Sequence, residues 1–433
     1  MPCESAPAQT EHPVTWSLMF QALPGTRDLL PPVTDRWRAL VAVYAEQAAR
    51  AGYGEVIPPM FEDLGVFLRM GESTDVVTKE MYDFEDKGGR RIALRPEFTA
   101  ALMRVFVEKR PASLPWKIWS WGPVFRYEKP QGNRYRQFMQ LDAECVGSGD
   151  PDVDVEIIAL AADFFASLGL RQTTLKVNSL GDAASRPAYL DALRAYFTAN
   201  AADLTAQSRA TLELNPLRVL DSKREPDQAV VAAAPRMIDF LDGPTAAHFE
   251  RVQAGLQSLG VDFVVEPRLV RGLDYYTHTC FEFASDALES AQNAIGGGGH
   301  YDNLVEQLGG PATPGIGFGL GIDRILAACD AEGVFGAPAV AVDVYVIDLT
   351  GGLQALALTH ELRRAGVRAD RSFDNRSMKA QFKGADRSGA PLAVIIGSDE
   401  LADGTATLRD LRTGTQEPIA RADILAAVTK RLA

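Results

Sequence analysis

The chain has 433 residues, of which 46% are hydrophobic and 23% are charged, and its formal net charge is −13. This length predicts two or three domains with room for a large core. The negative balance argues against a protein that binds nucleic acid indiscriminately, although it leaves room for a local basic face. No apolar run is long enough for a membrane span, and the first lysine or arginine is Arg27, so we expect no signal peptide.

Neither the cysteines nor the N-terminal residues predict a functional site. Four cysteines are scattered along the chain without a CxxC pair: Cys3, Cys145, Cys280 and Cys329. They predict neither a zinc site nor a disulfide framework, and we expect a cytoplasmic protein. Residues 1–19 read as a disordered polar tail.

The N-terminal part predicts a helix, an interrupted strand and a hairpin, in that order. Residues 31–52 carry apolar side chains at helical spacing. The segment Ile57-Pro58-Pro59 lacks two amide donors, so it belongs at a sheet edge or an interface. A hairpin is expected around Lys87-Gly88-Gly89, followed by a helix. Glu97 and Thr99 beside that helix start are explained most simply as first-turn residues.

Residues 117–128 and 137–147 form the clearest predicted strand pair. The second strand has three polar residues on one face: Gln140, Asp142 and Glu144. The connecting loop, 129–136, is basic and aromatic and contains a glycine, which suits contact with phosphates and bases. Polar residues on one face could be merely solvated, but Arg126 on the partner strand favours a lined cleft.

A change of pattern marks the middle of the chain. Residues 153–169 predict an apolar helix, and residues 175–181 predict a strand with a turn. From about residue 182 to 255 the sequence turns to short, alanine-rich helical pieces with few β-formers. We interpret this stretch as a helical insertion in a mixed α/β domain.

The most informative stretch runs from Arg271 to Phe283. From Leu273 onward β-formers alternate with polar residues, which predicts a strand whose polar side chains share one face. Arg271 cannot lose its charge and suits phosphate, whereas the phenols of Tyr275 and Tyr276 and the neighbouring carboxylate suit a nitrogen-rich ligand. A polar sheet face near a turn is the alternative.

Two glycine patterns follow. The run from Gly296 to Gly299 permits close backbone approach, but it is equally typical of a flexible turn. Four further glycines alternate with apolar residues: Gly315, Gly317, Gly319 and Gly321. In a strand they bare one face while the other packs in the core. We interpret the bare face as a platform for a flat ring, with Arg324 stacking over it.

The C-terminal part predicts a separate module. After a linker at 333–338 strands and helices alternate, which predicts a compact α/β unit of about 95 residues. Within it, residues 361–390 hold eight cations and four anions, and eight minus four gives a local charge of +4. A charge run of this kind is usually a solvated face, and the alternative is a surface for nucleic acid.

Together these segments resemble the class II aminoacyl-tRNA synthetases, and within them the histidyl-tRNA synthetases, from about Ala22 to the C-terminus. The helix with Pro58-Pro59 is similar to class motif 1, Phe125-Arg126-Tyr127-Glu128 with its loop to motif 2, and residues 317–324 to motif 3. Class motifs are degenerate. The histidyl assignment therefore comes from residues 271–276 and from Tyr301-Asp302 in its glycine setting.

The resemblance implies an α+β catalytic domain, a homodimer, and an antiparallel sheet of roughly six to seven strands flanked by helices. It divides the chain into a disordered tail (1–19), a catalytic domain (20–334) with a helical insertion at about 182–255, a linker (335–341) and an α/β anticodon-binding domain (342–433). It implies ATP with Mg²⁺, L-histidine and tRNA(His) as ligands, no metal held by a fixed side-chain cage, and no membrane partner.

The same resemblance assigns roles to single residues. The catalytic residues would be Arg126, Arg271 and Arg324, which contact the ATP phosphates. Further ATP contacts would come from Glu128, Gly319 and Gly321. The amino group of histidine would be held by Glu97, Thr99 and Gln140, and its imidazole would be read by Glu144 and Tyr276, with Tyr275 alongside. The tRNA acceptor end would meet Gln131, Arg134 and Arg136.

One departure concerns the glycine loop, where histidyl enzymes usually carry Arg in place of His300 and Gly in place of Asn303. It bears only on the detail of that loop.

Two rival assignments stay open. The first is the non-catalytic regulatory subunit of ATP phosphoribosyltransferase, which resembles the catalytic domain. The second is a synthetase for proline, threonine or glycine. Arg271, both motif arginines and the C-terminal module argue against the regulatory subunit.

Overall fold

The computed structural model describes residues 20–69, 76–129, 134–289, 293–338 and 342–432. The chain divides into two compact units, Met1–Ala337 and Pro338–Ala433, each with its own apolar core. Within the described ranges no helix is both long and apolar enough to cross a membrane.

The first unit contains most of the strands and helices. Its strands are β1 (Gly54–Glu55), β2 (Phe61–Asp63), β3 (Tyr82–Glu85), β4 (Arg91–Leu94), β5 (Trp116–Phe125), β6 (Gln137–Val146), β7 (Thr173–Ser179), β8 (Val264–Val265), β9 (Thr277–Ser285), β10 (Ala294–Tyr301) and β11 (Gly315–Gly321). Its α-helices are α1 (Val33–Arg50), α2 (Leu64–Leu68), α3 (Thr99–Lys109), α4 (Pro151–Ser167), α5 (Arg186–Ala199), α6 (Ala206–Leu214), α7 (Gln228–Ala232), α8 (Gly243–Ser258), α9 (Leu304–Gln307) and α10 (Ile322–Glu332).

The central sheet of this unit has eight strands in the order β1-β5-β6-β11-β10-β9-β7-β8. Its six inner strands pair antiparallel, which confirms the predicted sheet, and the two-residue edge strands β1 and β8 pair parallel with their neighbours. A separate three-stranded sheet, β2-β4-β3, contains the predicted hairpin.

The strand predicted from Leu273 begins later, at Thr277, so the prediction of its start was wrong. Tyr275 and Tyr276 are both buried and do not alternate between two faces. The reason is local, because His278 takes a φ of 43° and the register of β9 against β10 shifts at this point. The arginine and both tyrosines of the stretch therefore lie on irregular backbone before β9.

Aromatic packing joins α1 and α4 to one face of the central sheet. The buried ring of Tyr44 on α1 contacts Trp119 of β5, Phe164 of α4 and Phe318 of β11, with ring centroids 5.6, 5.1 and 6.4 Å away. These edge-to-face contacts add to the large apolar area that the rings bury. Because this face is filled, the polar residues of β6 and the glycines of β11 are left on the opposite face.

The stretch interpreted as a helical insertion is divided between two cores. Helices α5 to α7, with several 3-10 turns, surround a small apolar cluster that includes Tyr189, Leu193 and Phe197. Helix α8 instead packs on α4 and contributes to the main core: Phe249, Val252 and Leu256. The close approach of these two helices requires Gly255, because a Cβ there would lie 2.6 Å from a methyl carbon of Val155.

The second unit is a five-stranded mixed sheet covered on both faces, in agreement with the predicted α/β module. Its strands and helices are β12 (Val344–Asp348), α11 (Leu353–Arg364), β13 (Ala369–Arg371), α12 (Met378–Ser388), β14 (Leu392–Ile396), α13 (Ser398–Asp403), β15 (Thr405–Asp410), β16 (Gln416–Ala420) and α14 (Ile424–Leu432). The strand order is β13-β12-β14-β15-β16, parallel for the first three and antiparallel for the last two.

Candidate active site

A cavity of about 220 Å³ lies on the face of the central sheet that carries the glycines. It brings together twelve of the residues that the sequence singled out: Glu97, Thr99, Arg126, Glu128, Arg134, Gln140, Arg271, Tyr275, Tyr276, Gly319, Gly321 and Arg324. Glu144 is fully buried directly behind this lining, next to Tyr301. Arg136 is not part of the lining, and Gln131 lies outside the described residues.

One end of the cavity is basic. Arg126 follows the last residue of β5, and its Nε donates to the carbonyl of Pro96 at 2.9 Å. Arg324, in the first turn of α10, donates from Nη1 to the carbonyl of Ala294 at 2.7 Å. Burial, and then the nearby charge of Arg134, lower the pKa of Arg324. Cations crowded into a partly dry space in this way favour an anionic ligand such as phosphate.

Arg271 belongs to the same end but has a different partner. Its Nη1 lies 3.1 Å from Oε2 of Glu282, a strand residue that also lines the cavity. Its Nε is buried and has no hydrogen-bond partner within the described residues. Because a buried donor without a partner is costly, this N–H favours an acceptor supplied by a ligand.

The other end of the cavity is acidic, and its charges are buried. Glu97, Asp142 and Glu144 are 3%, 1% and 0% exposed. Burial raises the pKa of Asp142, and the charges of Glu144 and Glu97 raise it further. Burial also raises the pKa of Glu97, and it raises that of Glu144 to about 8. A cationic or proton-donating ligand would relieve this concentration of negative charge.

Several acceptors at the acidic end have no partner within the described residues: Gln140 Oε1, Asp142 Oδ1 and Glu144 Oε1. The other oxygen of Glu144 accepts a hydrogen bond from the Tyr301 hydroxyl at 2.7 Å. The rings of Tyr275 and Tyr276 pack with centroids 4.5 Å apart beside these groups. Unpaired buried acceptors cost about 1–3 kcal/mol each, so their grouping here points to a ligand rich in N–H donors.

Glu97 has a structural role as well. Its two carboxylate oxygens accept from the backbone N–H groups of Thr99 at 2.6 Å and Ala100 at 2.9 Å. It therefore satisfies donors at the start of α3, in agreement with the first-turn explanation of this residue, while it also lines the cavity. The helix start thus fixes the carboxylate in place.

The glycines of β11 make room for the acidic end. A Cβ at Gly317 would lie 1.8 Å from Oε2 of Glu144, and a Cβ at Gly319 would lie 1.8 Å from Nε2 of Gln140. The bare strip is therefore largely occupied by side chains of the neighbouring strand, which the sequence interpretation did not foresee. Among the described residues no heavy atom lies within 4 Å of the Cβ position at Gly321, so this part of the chain leaves the backbone open there.

The glycine run of β10 likewise makes room for side chains, for Arg271 of the basic end and for Tyr276. A Cβ at Gly297 would lie 2.8 Å from Nη1 of Arg271, and a Cβ at Gly299 would lie 2.8 Å from a ring carbon of Tyr276. All four glycines from Gly296 to Gly299 are in β10. The run is therefore regular strand that admits bulky neighbours, and the flexible-turn alternative is wrong.

Two arginines of the basic loop contact other groups of the protein. Arg134 Nη1 lies 2.7 Å from Oε2 of Glu128, and both residues line the cavity. The guanidinium of Arg136 stacks over Tyr127 with its carbon 3.8 Å from the ring centroid, and its Nε donates to the carbonyl of Glu128 at 3.2 Å. Arg134 is thus placed with the arginines of the basic end.

Some residues of the lining were assigned no role from the sequence. The cavity is also lined by Tyr135, Phe138, Asp142, Glu282, Ala294 and Asp323. The alternation in β6 contained the signal for Asp142, since it shares a face with Gln140. Glu282 could not be paired with Arg271 from the sequence, because the irregular backbone between them hides their proximity.

Glu144 should impose a pH dependence on stability. Its pKa rises from 4.5 to about 8 on folding, so between these values the folded state holds a proton that the unfolded state loses, and stability falls as pH rises. In Glu144→Gln this contribution disappears. We expect the difference in free energy of unfolding between the variant and the wild type, measured with urea, to change by about 1–4 kcal/mol in favour of the variant from pH 5 to pH 8.

The control is Glu108→Gln, at an exposed carboxylate whose pKa is lowered by Lys109. For this variant, the plot of the free energy of unfolding against pH should stay parallel to that of the wild type over the same range. A parallel curve for Glu144→Gln would show that this carboxyl does not hold its proton on folding.

Comparisons with known proteins agree with this geometry. The family model described as histidyl-tRNA synthetase matches residues 25–325, and the model described as anticodon binding domain matches residues 343–431. A histidine–tRNA ligase of Anaeromyxobacter dehalogenans is 48% identical over 416 residues, 95% of this chain and 100% of the relative. One from Geobacillus thermodenitrificans is 43% identical over 421 residues, 96% of this chain and 99% of the relative.

A solved structure gives the same result. The crystal structure of apo Staphylococcus aureus histidyl-tRNA synthetase superposes with a TM-score of 0.81 at 34% identity, and the match covers 95% of this chain and 100% of that one. The matches extend over both compact units. This chain therefore belongs to the histidyl-tRNA synthetase family.

Proposed function

We propose that the chain joins L-histidine to tRNA(His) in an ATP-dependent reaction that passes through histidyl-adenylate and releases AMP and diphosphate. The observation that carries this proposal is that the carboxylates of one cavity cluster with one another and its arginines with one another, which gives an acidic end and a basic end. An amino group and an imidazole match the buried carboxylates, and a triphosphate matches the arginines. The family of the chain supports the same reaction.

The acidic end would hold histidine. We assign the amino group to Glu97, Thr99 and Gln140. We assign the imidazole to Glu144 and Tyr276, with Tyr275 packing alongside. Because the site offers buried polar partners, an amino acid without matching groups would leave them unpaired, and such a loss can reject an analogue by about 10⁴–10⁵.

The basic end would hold the phosphates of ATP. Arg126 and Arg271 would contact the α-phosphate, and Arg324 would reach the triphosphate and cover the adenine. The carboxylate of histidine attacks the α-phosphorus, a P–O bond forms, and diphosphate leaves. No general base is needed, because the attacking carboxylate is already ionised. The guanidinium groups stabilise the negative charge that develops on the phosphoryl oxygens.

The open backbone near Gly321, with Gly319 beside it, would receive the adenine ring. Glu128 and Glu282 fit a Mg²⁺ ion that accompanies ATP, because both line the cavity and their side chains stay 15% and 24% exposed. Such an ion would neutralise charge on the outer phosphates and would keep some of its waters, so no cage of protein ligands is required.

The tRNA would contact both units. At the first unit the acceptor end would meet the motif 2 loop with Gln131, Arg134 and Arg136. In the second unit, which we propose as the anticodon-binding domain, Lys379, Lys383 and Arg387 are exposed and recur every four residues along α12. This spacing places three cations on one helix face, which suits a phosphate backbone.

We propose that the enzyme works in the cytoplasm, where both tRNA and ATP are available.

A regulatory protein without catalytic activity is less well supported. Such a protein needs no cations at a phosphate site, whereas four arginines line this cavity: Arg126, Arg134, Arg271 and Arg324. The match of residues 343–431 to an anticodon binding domain also favours the ligase.

Substitution of Arg271 should slow adenylate formation specifically. In Arg271→Lys and Arg271→Ala we expect the rate to fall by about 10²–10³, as for the loss of one preorganised donor, with lysine rescuing in part. Affinities for histidine and ATP should change much less, because the contact strengthens mainly in the transition state. Rapid-quench measurement of the two half-reactions separates this effect from transfer to tRNA.

The control is Arg268→Ala, three residues earlier, where the side chain is half-exposed and pairs with Glu266. It should leave both half-reactions unchanged. If Arg271→Ala folds stably and forms adenylate at the wild-type rate, or if both steps slow equally, Arg271 is not catalytic.

Removal of the second unit should separate the two half-reactions. A chain ending at Gly336 keeps every residue of the cavity, and it keeps the Phe335 carbonyl that accepts from Arg36 Nε at 2.7 Å. We expect it to form histidyl-adenylate but to charge tRNA poorly, with a shallower salt dependence because phosphate contacts are lost. Normal charging by this shortened chain would contradict the anticodon-binding assignment.

We also propose a homodimer that uses the segment from Ile57 to Phe61, which ends on the first residue of β2. Ile57, Met60 and Phe61 are 76%, 51% and 56% exposed, an apolar surface that a partner copy would cover. Arg95 Nη1 donates to the Pro58 carbonyl at 2.8 Å and so connects this segment to the strand that leads into the site.

In analytical sedimentation, Ile57→Asp should shift the protein towards the monomer. Leu259→Asp, at a 58% exposed leucine elsewhere, should not.

A further inference from the structure

A second polar cluster lies outside the proposed active site. Asp154 of α4 is fully buried, and its two oxygens face two histidines from different elements. His248 Nε2, on α8, lies 2.9 Å from Asp154 Oδ2, and His300 Nδ1, on β10, lies 3.0 Å from Asp154 Oδ1. The three donor atoms all lie within 4.8 Å of one another. None of the three residues lines the cavity of the proposed active site.

A second layer of polar groups orients this cluster. His300 Nε2 lies 3.3 Å from Asp302 Oδ1, and His278 Nε2 lies 3.5 Å from Asp302 Oδ2. His278 Nδ1 is buried without a hydrogen-bond partner in the described part of the chain. The chain has five histidines, and three of them meet here, with ring centroids 5.0 to 5.7 Å apart. Three imidazoles at this spacing cannot all be protonated without strong repulsion.

We propose that Asp154, His248 and His300 bind a divalent transition-metal ion of the Zn²⁺ class. Two imidazole nitrogens and one carboxylate are a donor set that zinc takes readily, and a fourth position would be left for water or for His278. Donors around tetrahedral zinc lie about 3.3 Å apart. The two histidine–carboxylate distances of 2.9 and 3.0 Å would widen slightly on binding, and the two histidine nitrogens, which lie within 4.8 Å of each other, would adjust towards the same separation. Asp302 would fix the ring of His300 from behind, as carboxylates commonly do for ligating histidines.

An entry path exists. A cavity of about 460 Å³ is lined by all three histidines together with Asp182, Thr245 and Asp302. It gives an ion access from solvent without passing through the active site. The site uses no cysteine, which is why the spacing of the cysteines could not predict it.

The ion would act as a structural clamp. It would join α4, α8 and the end of β10, and α8 follows directly on the insertion formed by α5 to α7. Metal binding would therefore stabilise the base of the insertion against the main core, because binding to the folded state alone adds to folding stability. This inference does not depend on the proposed function, because it shares no ligand residue with that site.

The competing occupant is a proton. Burial disfavours a charge on His300, but Asp154 and Asp302 outweigh it and raise the pKa of His300 to about 9. A protonated His300 would satisfy Asp154 without any metal. His300→Arg separates the two cases, because arginine keeps a cation opposite Asp154 but cannot ligate a metal.

The test uses the full chain, stripped with a chelator, dialysed, and titrated with Zn²⁺ in competition with a chelating dye. Co²⁺ in a parallel titration reports coordination by its visible absorption bands. We expect one ion per chain and a higher midpoint of thermal unfolding when Zn²⁺ is bound. In His300→Arg and His248→Gln affinity should fall at least about tenfold and the thermal shift should disappear.

The matched control is His360→Gln, at an exposed histidine in the second unit, which should bind as the wild type does. No binding of Zn²⁺ by the wild type, or equal binding by His300→Arg, would overturn the proposal and leave the proton as the occupant. Should His248→Gln fail to fold, His300→Arg and the wild type decide the matter. Adenylate formation by the wild type is measured separately, with and without Zn²⁺. A failure of metal binding can then be told apart from a failure of the proposed function.

Discussion

Three carboxylates buried side by side are the constraint on which the rest of the site depends. Glu97, Asp142 and Glu144 repel one another in a space from which water is largely excluded, and burial raises the pKa of each. The protein offsets part of this cost with the N–H groups at the start of α3 and with the Tyr301 hydroxyl. The acceptors that stay unpaired define what a ligand must supply.

The backbone had to adapt to this arrangement. Side chains as large as Glu144, Gln140, Arg271 and Tyr276 can share one sheet face only if the adjacent strands have no side chains there. The glycines of β10 and β11 meet this need, since a Cβ at most of these positions would overlap a neighbouring side chain or backbone atom. They are thus a requirement of packing around the site as much as a surface for a ligand.

Much of the fold could be predicted because its signals are local. The hairpin of β3 and β4, the pair β5 and β6, and the alternating second unit follow from residue periodicity and turn residues. Much of the lining of the candidate site could be predicted, because Gln140, Asp142 and Glu144 alternate on one strand and the resemblance to the synthetase family pointed to the motif arginines.

The remainder depends on tertiary contacts that periodicity does not contain. The start of β9 was missed because the positive φ of His278 and a shifted register interrupt the strand there. The pair of Arg271 with Glu282 and the cluster around Asp154 join residues that are distant in the chain or separated by irregular backbone. Likewise the packing of α8 on α4 is visible only once both helices meet at Gly255.

The central claim is that one cavity holds histidine at its acidic end and ATP at its basic end. The measurement that tests it most directly is ATP–diphosphate exchange by the full chain with each amino acid in turn. The account predicts rapid exchange with histidine and, for amino acids that leave the buried partners unpaired, rates lower by about 10⁴ or more. Comparable exchange with proline, threonine or glycine, or no exchange with any amino acid, would contradict it.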